Sequence, residues 1–177
     1  MKLRLGNWIG LSAIVVLVDQ WTKHLVRGAL RNGEVIRVTD FFDLVLAFNP
    51  GAAFSMGEDF TVVLTLVSVA ALAGVLAWVL PRTRHVGWTV GMGLLLAGIL
   101  GNLTDRLIRP PAPLHGHVID FFQVPNFAIF NVADICITFA AITIIWLVVI
   151  TQVDLNGTST KEEKAVDAPV AAPEGDA

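Results

Sequence analysis

The chain has 177 residues, of which 55% are hydrophobic and only 15% charged, with a mean hydropathy of +0.70 and a formal net charge of −3. An ordinary soluble domain carries roughly 25% charged residues, so this composition excludes one and indicates an integral membrane protein. The small negative charge, much of it in the C-terminal tail, gives no basis for a nucleic-acid partner, and the single Cys136 excludes both an intramolecular disulfide and a cysteine-based metal site.

Crossing the hydrocarbon core takes roughly 20 apolar residues, and four stretches qualify, at about 8–26, 60–80, 86–105 and 127–150. The first starts at Trp8, but the run to Val18 is too short to cross, so the helix continues through Asp19 to about Val26. Lys2 and Arg4 before an apolar run also fit a secretory signal peptide. No small-x-small cleavage site follows Val18, however, and the first helix is read as retained. Between the first two spans, Glu34 to Thr39 and Phe41 to Phe48 are rich in β-branched and aromatic residues. They predict two short strands in a β region at about 33–55, resting on the outer membrane surface. Asn49-Pro50-Gly51 then turns the chain into the second span, with Gly51 free to take a backbone shape that other residues resist.

The span from Phe60 to Leu80 carries no charge, and the third ends at Asn102 and Asp105. Pro110, Pro111 and Pro113 keep the following loop extended. His115 and His117 flank Gly116 there, but with Asp120 they lack further ligands at helical spacing, so no metal is expected. The uninterrupted apolar run Ile135 to Ile150 is slightly short, so the fourth span is expected to begin near Phe127 and to carry Asp134 inside it. Trp8, Trp21, Trp78, Trp88 and Trp146 all fall near span ends, where an interfacial aromatic belt would place them. Residues 151–177 are rich in Ala, Pro, Glu and Asp, contain no aromatic residue, and are expected to form a disordered cytoplasmic tail after a four-helix membrane domain at 1–150.

Four antiparallel spans gather Asp19, Asn49, Asn102, Asp105, Asp120, Asn131 and Asp134 at one end of the bundle. The other end receives the two termini and the tight turn with Arg82 and Arg84. Lys and Arg divide evenly between the ends; that turn, basic and free of acids, votes for cytoplasmic termini. Ionisable residues at membrane depth are costly and by default functional, the alternative being that they bind helices together. Asp105 precedes Arg106 and is expected to be neutralised by it, whereas Asp120 and Asp134 have no adjacent cation. Two carboxyls close together in an apolar setting cannot both ionise cheaply and tend to share one proton, which is what an acid/base pair needs to activate water. Asp120 and Asp134 are therefore the expected catalytic pair, with Asp105 in reserve. A small proton-coupled transporter is the main alternative, but it would be expected to show gates at both ends or an inverted repeat. An assembly factor whose acids only pair helices is the other.

Asp19-Gln-Trp-Thr-Lys23, Asn49-Pro-Gly-Ala-Ala-Phe54, Gly101-Asn-Leu-Thr-Asp-Arg106, Val118-Ile-Asp-Phe121 and Phe130-Asn-Val-Ala-Asp134 together resemble the ordered motif set of the lipoprotein signal peptidases, the signal peptidase II family of bacterial aspartic proteases. The likeness runs from the first span to the fourth; the Pro-rich stretch before His115 is longer than the family's usual loop, and Ala97 stands where Gly is frequent. The resemblance implies a four-helix membrane enzyme of the bacterial inner membrane, with its active site at the outer face and both termini cytoplasmic. Asp120 and Asp134 would be its dyad, supported by Asp19, Lys23, Asn49, Gly51, Asn102, Asp105, Arg106 and Asn131. It also implies no cofactor, a prolipoprotein substrate with a diacylglyceryl-modified Cys, membrane lipids as surroundings and a monomeric state.

Overall fold

The computed structural model describes residues 2–51 and 59–159. Helix α1 (Lys2–Ala29) leads into strands β1 (Ile36–Thr39) and β2 (Phe42–Asn49). Helix α2 (Asp59–Gly74) continues through a π turn at Val75–Val79 to Arg82, and α3 (Val86–Ile108) returns. Strand β3 (Val118–Gln123) precedes α4 (Val132–Ile145), which ends in a π turn at Trp146–Thr151. The resulting apolar spans are Trp8–Ala29, Phe60–Arg82, Val86–Ile108 and Val132–Thr151, each long enough to cross a bilayer. The protein is a multi-pass membrane protein.

Helix α3 is the centre of the bundle and packs on α1, α2 and α4. Small residues let it approach closely, as expected where lipid offers no hydrophobic drive between helices. A Cβ on Gly98 would come within 2.6 Å of the Ala133 carbonyl, and one on Gly101 within 2.8 Å of Asp19 Oδ2. The end with the basic turn is closed by a wholly apolar cluster of Trp8, Val75, Trp88, Met92, Leu96 and Leu147. Trp8 and Trp88 thus belong to the core and not to an interfacial belt, because each is enclosed by neighbouring helices; Trp21, Trp78 and Trp146 remain exposed.

At the other end lies an antiparallel sheet in the order β1-β2-β3. Its third strand comes from the loop before α4, pairing Ala47 with Asp120 and Asn49 with Val118. That strand was not anticipated, although Val118-Ile-Asp-Phe-Phe-Gln has the β-branched and aromatic composition of one. The fourth helix starts at Val132, five residues later than Phe127. Phe130 bridges to Phe122, and Asn131 then caps the helix. Asp134 consequently sits in the first turn of α4.

The chain beyond Thr151 does not leave the bundle at once. Asp154 accepts backbone N–H bonds from Asn156, Gly157 and Thr158, and these hold its carboxyl below the usual carboxylate range. The Leu155 carbonyl receives the N–H groups of Arg84 and His85 at the α2–α3 turn. Residues 152–159, expected to be part of a disordered tail, thus form a turn tied to that end; the rest of the tail lies outside the described residues, as do positions 52–54 of the Asn49–Phe54 motif.

Candidate active site

Asp120 is in the middle of β3, 2% exposed, and Asp134 is half-buried at the start of α4. One residue links them. The Asn131 side chain accepts the Asp134 backbone N–H at 3.1 Å, while the Asn131 backbone N–H donates to Asp134 Oδ2 at 3.1 Å, forming a reciprocal helix cap. The same side chain donates through Nδ2 to Asp120 Oδ1 at 2.6 Å and to Asn102 Oδ1 at 3.1 Å. Asn102 Nδ2 donates to Asp134 Oδ1 at 2.8 Å, and Asn49 Nδ2 to Asp120 Oδ2 at 2.8 Å.

The aim of Asn49 is set by Gly51. Asn49 Oδ1 accepts the Gly51 N–H at 2.8 Å, which fixes the amide with its Nδ2 toward Asp120. Gly51 has φ +112°, and an added Cβ would meet Leu64 Cδ1 at 2.5 Å, so both backbone shape and space require glycine. Burial pushes the Asp120 carboxyl up to about 6; the Asn49 and Asn131 donors pull it down and the Asp134 charge raises it.

A second cluster lies behind the first, toward α1. Asp19, Lys23 and Asp105 are all fully buried. The Lys23 ammonium has three protons and three acceptors: Asp19 Oδ2 at 2.8 Å, Asp105 Oδ2 at 2.9 Å and Asn102 Oδ1 at 3.1 Å. Asp19 Oδ1 accepts the Ala133 N–H at 3.0 Å at the positive end of the α4 dipole. Asp105 Oδ2 also accepts the Ile119 N–H at 3.2 Å, one residue before Asp120, while Oδ1 pairs with Arg109 Nε. Gln20 crosses the cluster, donating to Asp19, Asp105 and the Gly101 carbonyl and accepting from Arg109.

Asp105 is therefore neutralised by Lys23 and Arg109, not by Arg106. Neighbours i and i+1 on a helix point apart, whereas i and i+4 meet. Arg106 is left out of these pairs, and its buried Nε has no hydrogen-bond partner. Gln20, Arg109 and Gly116 are the residues the sequence reading missed. Helical spacing from Asp105 was the available signal for Arg109. Gly116 sits where a Cβ would collide with the Asp105 carbonyl and approach those of Arg109 and Arg106 at 2.8 and 2.9 Å, and its N–H donates to Arg106 O at 3.1 Å. It seats β3 on the end of α3. Among the described residues no three His, Cys, Asp or Glu are grouped to hold a metal ion.

All ten expected site residues thus lie in one contiguous polar region. Residues 11–150 match the family model for signal peptidase (SPase) II. The chain belongs to the signal peptidase II family. Its relatives include the lipoprotein signal peptidase of Leifsonia xyli subsp. xyli, 43% identical over 92% of this chain and 74% of the relative. That of Mycolicibacterium smegmatis is 40% identical over 82% of this chain and 62% of the relative. A solved bacterial membrane enzyme structure superposes with a TM-score of 0.67 at 29% identity, covering 82% of this chain and 94% of its own. As a signal peptidase II, the protein is a peptidase that removes signal peptides from lipoproteins.

Proposed function

We propose that this signal peptidase II is an aspartic endopeptidase of the bacterial cytoplasmic membrane, acting at the outer face with both termini inside. Its substrate is a prolipoprotein whose Cys already carries diacylglyceryl, and it cuts the bond before that Cys. The observation that carries the reading is the Asp120–Asn131–Asp134 link. It joins two carboxyl groups through hydrogen bonds to one residue, and the side chains of Asn49, Asn102 and Asn131 that donate to them are neutral amides.

One carboxylate takes a proton from water while its protonated partner donates to the scissile carbonyl oxygen, and the roles reverse as the amine departs. The pair titrates as a unit, so its apparent pKa values belong to both residues. Both Nδ2 protons of Asn131 already have acceptors, so it is not the group that holds the developing oxyanion. Arg106, whose buried Nε has no hydrogen-bond partner, holds it together with Asn102.

The test is incubation of the purified protein with a diacylglyceryl-modified precursor, followed by mass spectrometry of the products. A new amino terminus at the lipidated Cys, formed equally with and without a chelator, supports the proposal. Cleavage elsewhere, or only with added metal, overturns it.

A further inference from the structure

Between the last turns of α1 and the face of the sheet lies a cleft of about 340 Å³, walled by Leu25, Ala29, Ile36 and Leu44 and floored by Phe121 and Phe122. This volume is in the range of small-ligand sites. Its lining is apolar throughout. The one hydroxyl at its edge, that of Thr22, donates back to Val18 O and Asp19 O at 2.9 Å, leaving its methyl for the cleft.

The cleft continues a surface already in contact with lipid. Ile14, Val18, Trp21 and Leu25 recur at helical spacing on α1, all of them exposed, and so form the bilayer-facing stripe of that span. The next position on the stripe is Ala29, so the stripe runs directly into the cleft wall. A small residue there opens the space that a larger one would fill.

We infer that this cleft binds one acyl chain of a bilayer phospholipid, from the leaflet at the dyad end, as a resident wedge between α1 and the sheet. The bound chain covers apolar surface on both elements and holds β3, which carries Asp120, at a fixed height over α1. The occupant is a bulk membrane lipid, because the cleft opens from the bilayer-facing stripe of α1. The inference rests on the membrane spans and is independent of the proposed dyad.

The test uses the full chain in phosphatidylcholine nanodiscs doped with phosphatidylcholine bearing a mid-chain diazirine, with adducts mapped by mass spectrometry after illumination. Adducts are expected on β1, β2 and β3 (36–49 and 118–123) in addition to the stripe at 14–21. Ala29→Phe, which fills the cleft from α1, should abolish the strand adducts and leave those on the stripe; Ile36→Trp, filling it from the exposed edge strand, should do the same. Labelling of the stripe alone in the unmodified protein, or strand labelling that persists in both variants, would overturn the inference. So would displacement of the strand adducts by an excess of diacylglyceryl-modified peptide, which would give the cleft to the substrate.

Discussion

The molecule holds two pairs of acids within one polar region, and they are built differently. Asp19 and Asp105 are matched by Lys23 and Arg109, two negative charges against two positive. Asp120 and Asp134 instead receive the amides of Asn49, Asn102 and Asn131, which orient a carboxyl without cancelling its charge. The first arrangement pairs both acids with cations and ties α1, α3, β3 and α4 together. The second surrounds both carboxyls with neutral donors, the setting that the proposed acid/base chemistry uses. On the proposed reading, it is the charge of the partners and not burial that separates a structural acid from a reactive one.

The largest effect that would sharpen this contrast is in activity. Asp120→Asn and Asp134→Asn are each expected to lower precursor cleavage by roughly 10²–10⁴-fold, the usual contribution of a general acid or base, with membrane insertion intact. Lys23→Met breaks the other cluster, leaving Asp19 and Asp105 buried without their shared ammonium. A loss of about 3–5 kcal/mol is expected in thermal or denaturant unfolding in micelles. Gly116→Ala forces a side chain against the α3 carbonyls and should destabilise by about 1–3 kcal/mol. Because Gly116 seats β3, kcat should fall more than KM rises.

Asn49→Ala is subtler. Asn49 donates to Asp120 and lowers a carboxyl that burial has raised to about 6, so its removal should move that ionisation to higher pH. The corresponding limb of the pH profile of kcat/KM should shift upward, and a profile that stays in place would contradict the assigned hydrogen bond. The smallest effect is expected far from both clusters. Arg82 stacks over Trp78 at 5.3 Å on the exposed turn, and Arg82→Ala should leave cleavage unchanged.

The spans were legible because Phe60–Leu80 and Val86–Leu103 contain no charge, and the polar end was legible because four antiparallel crossings leave little choice of side. Less visible was anything that depends on contact between distant segments. The third strand pairs residues 118–123 with β2, some seventy positions earlier, and no local pattern announces that partner. The pairing of Asp105 was misread because adjacency in sequence was taken for adjacency in space, where a helix brings Arg109 round instead. Trp8 and Trp88 look alike to Trp21 and Trp146 in sequence; only the packing of α3 against its neighbours separates core from interface. Gln20 stands inside a recognised motif, yet its role needs three segments assembled before it has anything to bridge.

The most direct measurement is precursor cleavage and unfolding stability determined side by side for Asp134→Asn and Asp105→Asn. The account predicts an inactive but stably folded Asp134→Asn protein, and an Asp105→Asn protein whose main defect is stability. An Asp134→Asn protein that still cleaves, beside an Asp105→Asn protein that folds normally and does not, would contradict it.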